Sequence, residues 1–249
     1  MARPSTAEAA PETRATTATG DPMLYAIGDI HGQTAQLDRA LALIEADGGA
    51  EAPLIFLGDF VDRGPDSRGV LDRLIAGQAA GRPWRFVLGN HDRMFLRFVT
   101  EATTQDERIL SGKGWLHPAL GGNTTLASYL PGDLTVPGHG GTVETLAEAG
   151  LDPVSDPARD ALAAAACAAV PQAHLDFLAS LPLHIEEGPH LFVHAGIRPG
   201  VPLAQQDPDD LVWIREPFLD HDGDFGWLVV HGHTSLDAPT HFGNRIDLD

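Results

Sequence analysis

Short apolar runs alternate with polar stretches along this chain, and three early runs stop at a glycine followed by a polar residue. Runs of this length and ending predict short buried strands. We place the three strands at residues 23–27, 54–57 and 86–88. They end at Gly28-Asp29, Gly58-Asp59 and Gly89-Asn90, which lie roughly 30 positions apart, the length of one βαβ unit.

The segments between these strands have the period of an amphipathic helix. Leu37, Leu41 and Ile44, for example, fall on one face of the segment that follows the first strand. Alternating strands and helices predict an α/β fold with parallel strands joined by right-handed crossovers. The carboxyl ends of such strands lie along one edge of the sheet, where binding sites form. We therefore expect the polar residues at the three strand ends to converge.

The rest of the chain has a different pattern. Residues 93–186 are mostly helical and turn-rich, and we predict a cap-like insertion that packs over one side of the site. Further strands are predicted at residues 191–193, 228–230 and 245–248. Residues 1–22 are rich in Ala, Thr, Pro and Glu without an apolar period, which predicts a disordered tail before one folded domain at 23–249.

Composition narrows the class of protein. A chain of 249 residues can form one sizeable α/β domain. The formal charge of −19 argues against nucleic-acid binding, which needs clustered Lys and Arg. One cysteine, Cys167, permits no intrachain disulfide. The sequence has no apolar run of about 18 residues and no signal-peptide pattern. These features predict a cytoplasmic protein without a membrane partner, and they leave the oligomeric state open.

Five motifs carry the residues capable of chemistry: GDIHG at 28–32, GDFVDRG at 58–64, GNHD at 89–92, HAG at 194–196 and GHT at 232–234. Carboxylate, amide and imidazole groups together suit Mn, Fe or Zn rather than Ca. Two such cations about 3.5–4 Å apart can clamp a phosphoryl group. A single strand-end Asp is usually a turn former or a helix cap. Five such motifs at five strand ends are difficult to explain by capping alone.

In this order, the motifs resemble those of the metal-dependent phosphoprotein phosphatase branch of the calcineurin-like metallophosphoesterases, over roughly residues 24–249. The resemblance implies a four-layer α/β/β/α sandwich with a mostly helical cap insertion. It also implies two divalent metal ions, manganese first and Fe, Zn, Co or Ni as alternatives. The implied reaction is one-step hydrolysis of a phosphoester by a metal-bridging hydroxide.

The resemblance also implies which side chains bind the metals. Six residues are expected as ligands, and one of them is expected to bridge the two ions. The first ion would be held by Asp29, His31 and Asp59, and the second by the bridging Asp59 together with Asn90, His194 and His233.

Four further residues receive catalytic roles from the resemblance. His91 would be the general acid that protonates the leaving oxygen, and Asp62 would orient His91. Arg63 and Arg215 would bind the phosphate, because a planar guanidinium pairs well with two phosphate oxygens.

The sequence departs from the family pattern at two places. Asp92 stands where many relatives have Glu, and we expect its carboxylate to lie outside the metal ligands. Relatives usually continue past the position of Asp249 into a Thr-Gly turn and another strand, and a truncation there would lower stability. His139 lies in the predicted turn PGHGG, where we do not expect a metal ligand. The tryptophans are predicted to be packing residues: Trp115, Trp213 and Trp227.

Three functions remain open. The first is hydrolysis of phosphoserine or phosphothreonine in a phosphoprotein, or of a small phosphorylated substrate. The second is hydrolysis of dinucleoside polyphosphates such as diadenosine tetraphosphate. Relatives with that activity have GDxVARG as the second motif, without the aspartate found here at Asp62, so the motif favours a protein serine/threonine phosphatase. The third is a catalytically silent binding protein, against which the complete set of motifs argues.

Overall fold

The computed structural model describes residues 23–138, 140–151 and 155–249. The predicted tail at residues 1–22 and the predicted role of His139 lie outside the described residues. The chain folds as mixed α/β structure with two sheets.

The first sheet confirms the predicted parallel arrangement. Its strands β1 (Tyr25–Ile27), β2 (Leu54–Phe56) and β3 (Trp84–Phe86) pair in chain order and run parallel. The crossovers are α1 (Thr34–Gly48) and α2 (Ser67–Ala79). All three residues of β2 are buried, as expected for the central strand of a covered sheet.

The strand β3 ends earlier than the sequence predicted. We expected residues 86–88, whereas the structure places the strand at Trp84–Phe86. Val87 still donates to Phe56 O, but Leu88 donates to Pro182 O at 2.9 Å, so the chain leaves the sheet there. The apolar run continues past the strand because both residues remain buried.

The second sheet has five strands in the order β4–β5–β6–β8–β7. The central strands β5, β6 and β8 are parallel, and the two edge strands are antiparallel to their neighbours. Neither edge strand was predicted, because HIEE lacks an apolar run and the other strand has only two residues. The bounds are β4 (His184–Glu187), β5 (His190–Val193), β6 (Leu228–His231), β7 (Thr240–His241) and β8 (Arg245–Asp247).

Six further helices lie beyond β3 in the described part of the chain. Five of them fall largely within the segment predicted to be helical, and their buried residues join those of α1 and α2 in one hydrophobic core. The limits of this insertion and of the folded domain stay predictions. The bounds are α3 (Asn90–Glu101), α4 (Gly122–Tyr129), α5 (Val143–Ala149), α6 (Asp156–Ala169), α7 (Gln172–Ser180) and α8 (Pro208–Trp213).

The two sheets pack face to face. Ile55, Leu57 and Val87 of the first sheet region share a buried cluster with Phe192 and Val230 of the second. The large core containing α1 to α7 involves the first sheet, and a smaller cluster containing residues of α8 involves the second. This layering confirms the predicted four-layer α/β/β/α arrangement.

The helices of the described chain are short relative to the thickness of a bilayer. Across residues 23–138, 140–151 and 155–249, no single helix is long and apolar enough to cross a membrane. The pair α6 and α7 meets the criteria only when taken together, and it bends by 97° at the break between the helices.

The packing of α2 on β3 gives a prediction about stability. Gly77 lies against the ring of Trp84, and a Cβ atom added at Gly77 would collide with that ring. We expect Gly77→Ala to lower the free energy of unfolding by about 1–3 kcal/mol through overpacking. Gly132→Ala is the matched control, because its Cβ would meet only Glu144 Cβ at 3.8 Å. Urea denaturation measures both, and equal stability of the two variants would contradict this packing argument.

Candidate active site

Polar residues at the ends of five strands converge on one place. These residues follow β1, β2, β3, β5 and β6, and they are Asp29, Asp59, Asn90, His194 and His233. The ring of His194 shows how close they are. Its nitrogens lie 2.8 Å from Asn90 Oδ1, 3.5 Å from Asp59 Oδ2 and 4.0 Å from Asp29 Oδ1. The convergence expected from the parallel strands is therefore confirmed.

One ring nitrogen of His31 faces two carboxylates. His31 Nδ1 donates to Val61 O at 2.8 Å, which fixes the proton on that nitrogen in the neutral ring. The other nitrogen, Nε2, lies 3.7 Å from both Asp29 Oδ2 and Asp59 Oδ2. It is buried and has no hydrogen-bond partner. A lone pair of the imidazole therefore points at two carboxylate oxygens.

A second concentration of lone pairs surrounds Asn90. His194 Nδ1 donates to Leu57 O at 2.8 Å, so the neutral ring presents the lone pair of Nε2 to Asn90 Oδ1 and Asp59 Oδ2. Asn90 Oδ1 also lies 3.0 Å from His233 Nδ1. The Nε2 atom of His233 is buried without a partner. Several acceptors thus face one another with too few protons between them.

Divalent cations fit this arrangement. Buried polar atoms without partners are costly, and cations would satisfy the lone pairs of His31, His194 and His233. Two groups of residues have ligand atoms that all lie within 4.8 Å of one another. One group is His31, Asp59 and His91, and the other is Asp29, Asp59 and His194. Asp59 belongs to both groups, and its bridging position stays a prediction.

The backbone is strained around this cluster. Positive φ angles are uncommon for residues other than glycine, and they concentrate at functional sites. Six such residues occur in the described parts of the chain, and five of them belong to the predicted site. These five are His31, Asp59, Asp62, Arg63 and His233, with φ angles of 46°, 52°, 72°, 62° and 67°.

Burial displaces the pKa values of the clustered groups. It raises the pKa of Asp29 and of Asp59 well above the usual range, because their charged forms lose hydration. It lowers the pKa of His31 to about 2 and that of His233 well below its usual value. These shifts favour the neutral form of His31 and His233, the form in which an imidazole binds a metal. A bound cation would favour the ionised carboxylates and so reverse their shift.

Asp62 and His91 form a buried pair beside the cluster. His91 Nδ1 donates to Asp62 Oδ2 at 2.7 Å. Asp62 also accepts hydrogen bonds from Trp115 Nε1 and Thr125 Oγ1, both at 2.7 Å. Burial raises the pKa of Asp62 to about 8, against the opposing effect of these donors. Burial also lowers the pKa of His91, and the nearby Arg63 adds to this effect.

Asp92 holds the backbone of the site rather than facing the cluster. Its carboxylate accepts from the amides of Asp59 and Phe60 at 2.8 Å and from that of Gly89 at 3.1 Å. These contacts agree with the position outside the metal ligands that the sequence predicted. Only glycine fits at Gly89, because an added Cβ would collide with the side chain and the amide nitrogen of Asp59.

A cleft of about 340 Å³ opens over the cluster. Seven of the ten predicted site residues line it: Asp29, Asp59, Arg63, Asn90, His91, Arg215 and His233. His31, Asp62 and His194 lie behind this lining and contact it. Arg63 Nη2 donates to His91 Nε2, and Arg215 Nη2 donates to His233 O, each at 3.3 Å. The structure thus brings all ten residues together, and their individual roles stay predictions.

Some residues of the site were missed in the sequence. Arg108 and Trp213 line the cleft, although Trp213 was predicted to be only a packing residue. Trp115 and Trp227 do pack in the core regions, but Trp115 also donates to Asp62. Thr125, which also donates to Asp62, was not predicted to belong to the site. None of these residues lies at a strand end, so the pattern that revealed the other residues contained no signal for them.

The sequence pattern of the calcineurin-like phosphoesterases matches residues 23–248, almost the whole described chain. The chain belongs to the calcineurin-like phosphoesterase family. Members of this hydrolase family typically depend on two metal ions, for which the described residues include candidate ligands.

Curated relatives match a smaller part of this phosphoesterase. The symmetrical bis(5'-nucleosyl)-tetraphosphatase of Ralstonia nicotianae is 48% identical over 68 residues, which are 27% of this chain and 22% of the relative. The enzyme of the same name from Methylococcus capsulatus is 49% identical over 69 residues, 28% of this chain and 23% of the relative. The matches thus span less than a quarter of these relatives.

A solved structure supports the fold over a longer stretch. The crystal structure of a putative diadenosine tetraphosphatase aligns with a TM-score of 0.55 and 22% sequence identity. The alignment covers 90% of this chain and 81% of that one. At this level of identity the likeness establishes the shared architecture.

The ligand cluster predicts how metal content responds to mutation. We expect the Mn²⁺-loaded phosphoesterase to retain about two ions per chain after gel filtration. His31→Ala and His233→Ala should each reduce this content, because each removes a nitrogen with no other partner. His91→Ala should retain both ions if His91 is an acid rather than a ligand. Elemental analysis measures the content, with His190→Ala, outside the cleft, as control. Full metal content in His31→Ala would contradict the assignment.

Proposed function

We propose that this phosphoesterase hydrolyses phosphate monoesters, and that its substrates are phosphoserine or phosphothreonine side chains of proteins. The observation that carries the proposal is the buried hydrogen bond of 2.7 Å between His91 and Asp62. The comparisons support the family and the coarser activity of a hydrolase. The substrate class is inferred from the chemistry of the cleft.

In the proposed reaction, residues of the chain would bind the phosphate, protonate the leaving group and orient the acid. Divalent cations, when bound by the clustered ligands, would supply Lewis acidity that activates water and neutralises charge on the phosphoryl group. Arg63 and Arg215 would bind the phosphoryl oxygens from the cleft wall. His91 would donate a proton to the leaving oxygen. That donation requires a doubly protonated ring, which only an ionised Asp62 would stabilise, and the hydrogen bonds from Trp115 and Thr125 favour this ionised form.

The leaving group decides whether this acid is needed. The serine or threonine hydroxyl released from a phosphoprotein is a very weak acid, so its oxygen must be protonated as the bond breaks. A nucleotide released from a dinucleoside polyphosphate ends in a phosphate whose second pKa is about 6, and it departs without that help. A buried and fully hydrogen-bonded His–Asp pair is therefore better matched to a phosphomonoester.

A second candidate is hydrolysis of dinucleoside polyphosphates. Its support is the activity of the curated relatives, which are bis(5'-nucleosyl)-tetraphosphatases similar to this chain over about a quarter of its length. The cleft offers Trp213 beside His233, with ring centroids 5.8 Å apart, as an aromatic surface near the site.

A comparison of three substrates tests these alternatives. The Mn²⁺-loaded protein is assayed with p-nitrophenyl phosphate, a phosphothreonine peptide and diadenosine tetraphosphate. We expect kcat/KM to be higher for the phosphothreonine peptide than for the dinucleotide. Turnover of the dinucleotide alone would establish the second candidate, and metal binding without any turnover would indicate a silent binding protein.

The role of His91 predicts a dependence on the leaving group. His91→Ala should lower kcat for the phosphothreonine peptide by about 10²–10⁴-fold, the usual contribution of general acid catalysis. The loss should be much smaller for p-nitrophenyl phosphate, whose leaving group needs little protonation. Steady-state kinetics with both substrates measures the two losses, with His190→Ala as the control. Equal losses for both substrates would remove His91 from the role of acid.

The hydrogen bond from Trp115 predicts a related effect. Trp115→Phe keeps an aromatic ring against Phe95 and Phe98 but removes the donor to Asp62. We expect a lower kcat for the phosphothreonine peptide, an altered pH profile and little change in KM. Thr125→Ser retains the hydroxyl donor and serves as the matched control. A pH profile identical to that of the unaltered protein would show that Trp115 only fills space.

A further inference from the structure

The cleft lining includes residues that the proposed reaction does not use. Besides the clustered ligands and the arginines assigned to the phosphate, it contains the rim loop, residues 108–111, together with Leu120 and Trp213. A substrate whose phosphoryl group lies at the cluster would place its leaving group elsewhere in the same cleft. The rim loop is therefore a candidate for contact with the rest of the substrate.

Arg108 is the charged residue of the rim loop, and it shares its carboxylate partner with another arginine. Arg108 Nη2 donates to Asp210 Oδ1. Arg198 donates to Asp210 Oδ2 through Nε at 2.8 Å and Nη2 at 2.7 Å. The Asp210 side chain is only 2% exposed, whereas that of Arg108 is 32% exposed. Arg108 therefore bonds Asp210 through one of its nitrogens and lines the cleft with the rest of its partly exposed guanidinium.

Asp210, Asp209 and Asp207 raise the pKa of Arg108 and so favour its charged form, and the neighbouring acidic residues also make contacts of their own. Asp209 is bound by Arg93 at 2.6 Å. Asp207 accepts the amide of Asp209 at the start of α8. Asp106 receives the side chains of Arg93 and Arg97 at 3.3 and 3.5 Å, and it accepts the amide of Arg108 at 3.0 Å. Asp106 thereby anchors the base of the rim loop.

The rim loop also presents apolar surface. Leu110 is 96% exposed, the highest value among the large exposed hydrophobic residues of the described chain. Ile109 is half-buried next to it. An anchored loop with a guanidinium and an exposed leucine beside a phosphoryl site is suited to a leaving group that carries both charge and apolar atoms.

We propose that Arg108 and the rim loop form a leaving-group subsite, which binds a second anionic group of the substrate next to the phosphate that is removed. This subsite rests on the proposed function, since it defines the substrates of the same cleft. The second anion is a carboxylate in an acidic phosphopeptide or a further phosphate in a nucleoside polyphosphate. A guanidinium pairs bidentately with either group.

Kinetics of Arg108→Gln tests the subsite. The substrates are p-nitrophenyl phosphate, a phosphothreonine peptide with neutral neighbours, the same peptide with an adjacent aspartate, and diadenosine tetraphosphate. We expect no change for p-nitrophenyl phosphate and the neutral peptide. For a substrate with a second anion, kcat/KM should fall about tenfold, the size of one charge-assisted hydrogen bond, mainly through KM. The aspartate peptide and the dinucleotide distinguish the two sources of the anion.

Matched variants separate the subsite from a loss of folding. Arg85→Gln removes an exposed arginine that pairs with Glu187 outside the cleft lining, and it should leave the preference for a second anion intact. Arg108→Lys keeps the charge and should recover part of the preference. A uniform loss over all substrates, or no loss with any substrate, would overturn the subsite.

A binding measurement keeps the subsite distinct from the proposed function. Calorimetry with the Mn²⁺-loaded protein compares inorganic phosphate with pyrophosphate. Arg108→Gln should weaken pyrophosphate binding about tenfold relative to Arg85→Gln, with phosphate binding unchanged. This result without turnover of any substrate would reject the proposed function and retain the subsite. Unchanged pyrophosphate binding would reject the subsite whatever the activity.

Discussion

The position of one carboxylate, that of Asp59, is the constraint on which the site depends. Asp59 Oδ1 accepts the amide of His91 at 2.9 Å, and Asp59 Oδ2 lies 3.7 Å from His31 Nε2 and 3.5 Å from His194 Nε2. The Asp59 side chain therefore lies next to residues of three loops, those after β1, β3 and β5. It can do so because it follows β2, the central strand of the first sheet. No other place in that sheet adjoins both neighbouring strand ends.

Asp59 keeps this position although it is buried and its backbone is strained. Strained residues persist only where their surroundings determine the conformation fully. Two amides of the loop after β1, those of Ile30 and His31, donate to Asp59 O at 3.0 and 2.9 Å, and Asp92 accepts the amide of Asp59. Hydrogen bonds thus hold the loops before any cation binds. The clustered lone pairs then favour cations strongly, because the groups need little rearrangement.

The sequence predicted the residues at the ends of the repeated strands, and it did not predict the edge strands or the contacts between distant residues. Strands ending in Gly-Asp or Gly-Asn revealed Asp29, Asp59 and Asn90, because parallel order places such ends together. The edge strands β4 and β7 were not predicted, because they lack apolar runs. The contacts of Trp115 with Asp62 and of Arg108 with Asp210 could not be predicted for another reason. Each joins residues distant in the chain, and no local pattern records a contact between residues 53 or 102 positions apart.

In the proposed reaction, the segment between α3 and β4 would connect the chemistry with the choice of substrate. It supplies Trp115 and Thr125, which donate hydrogen bonds to Asp62, and it also supplies the rim loop in the cleft lining. The strand-end residues would contact only groups common to all phosphoesters, so they carry little information about the leaving group. With a formal charge of −19, the chain as a whole repels anionic substrates, and attraction must come from cations inside the cleft. Changes in this segment can therefore alter the substrate while the strand-end residues stay the same.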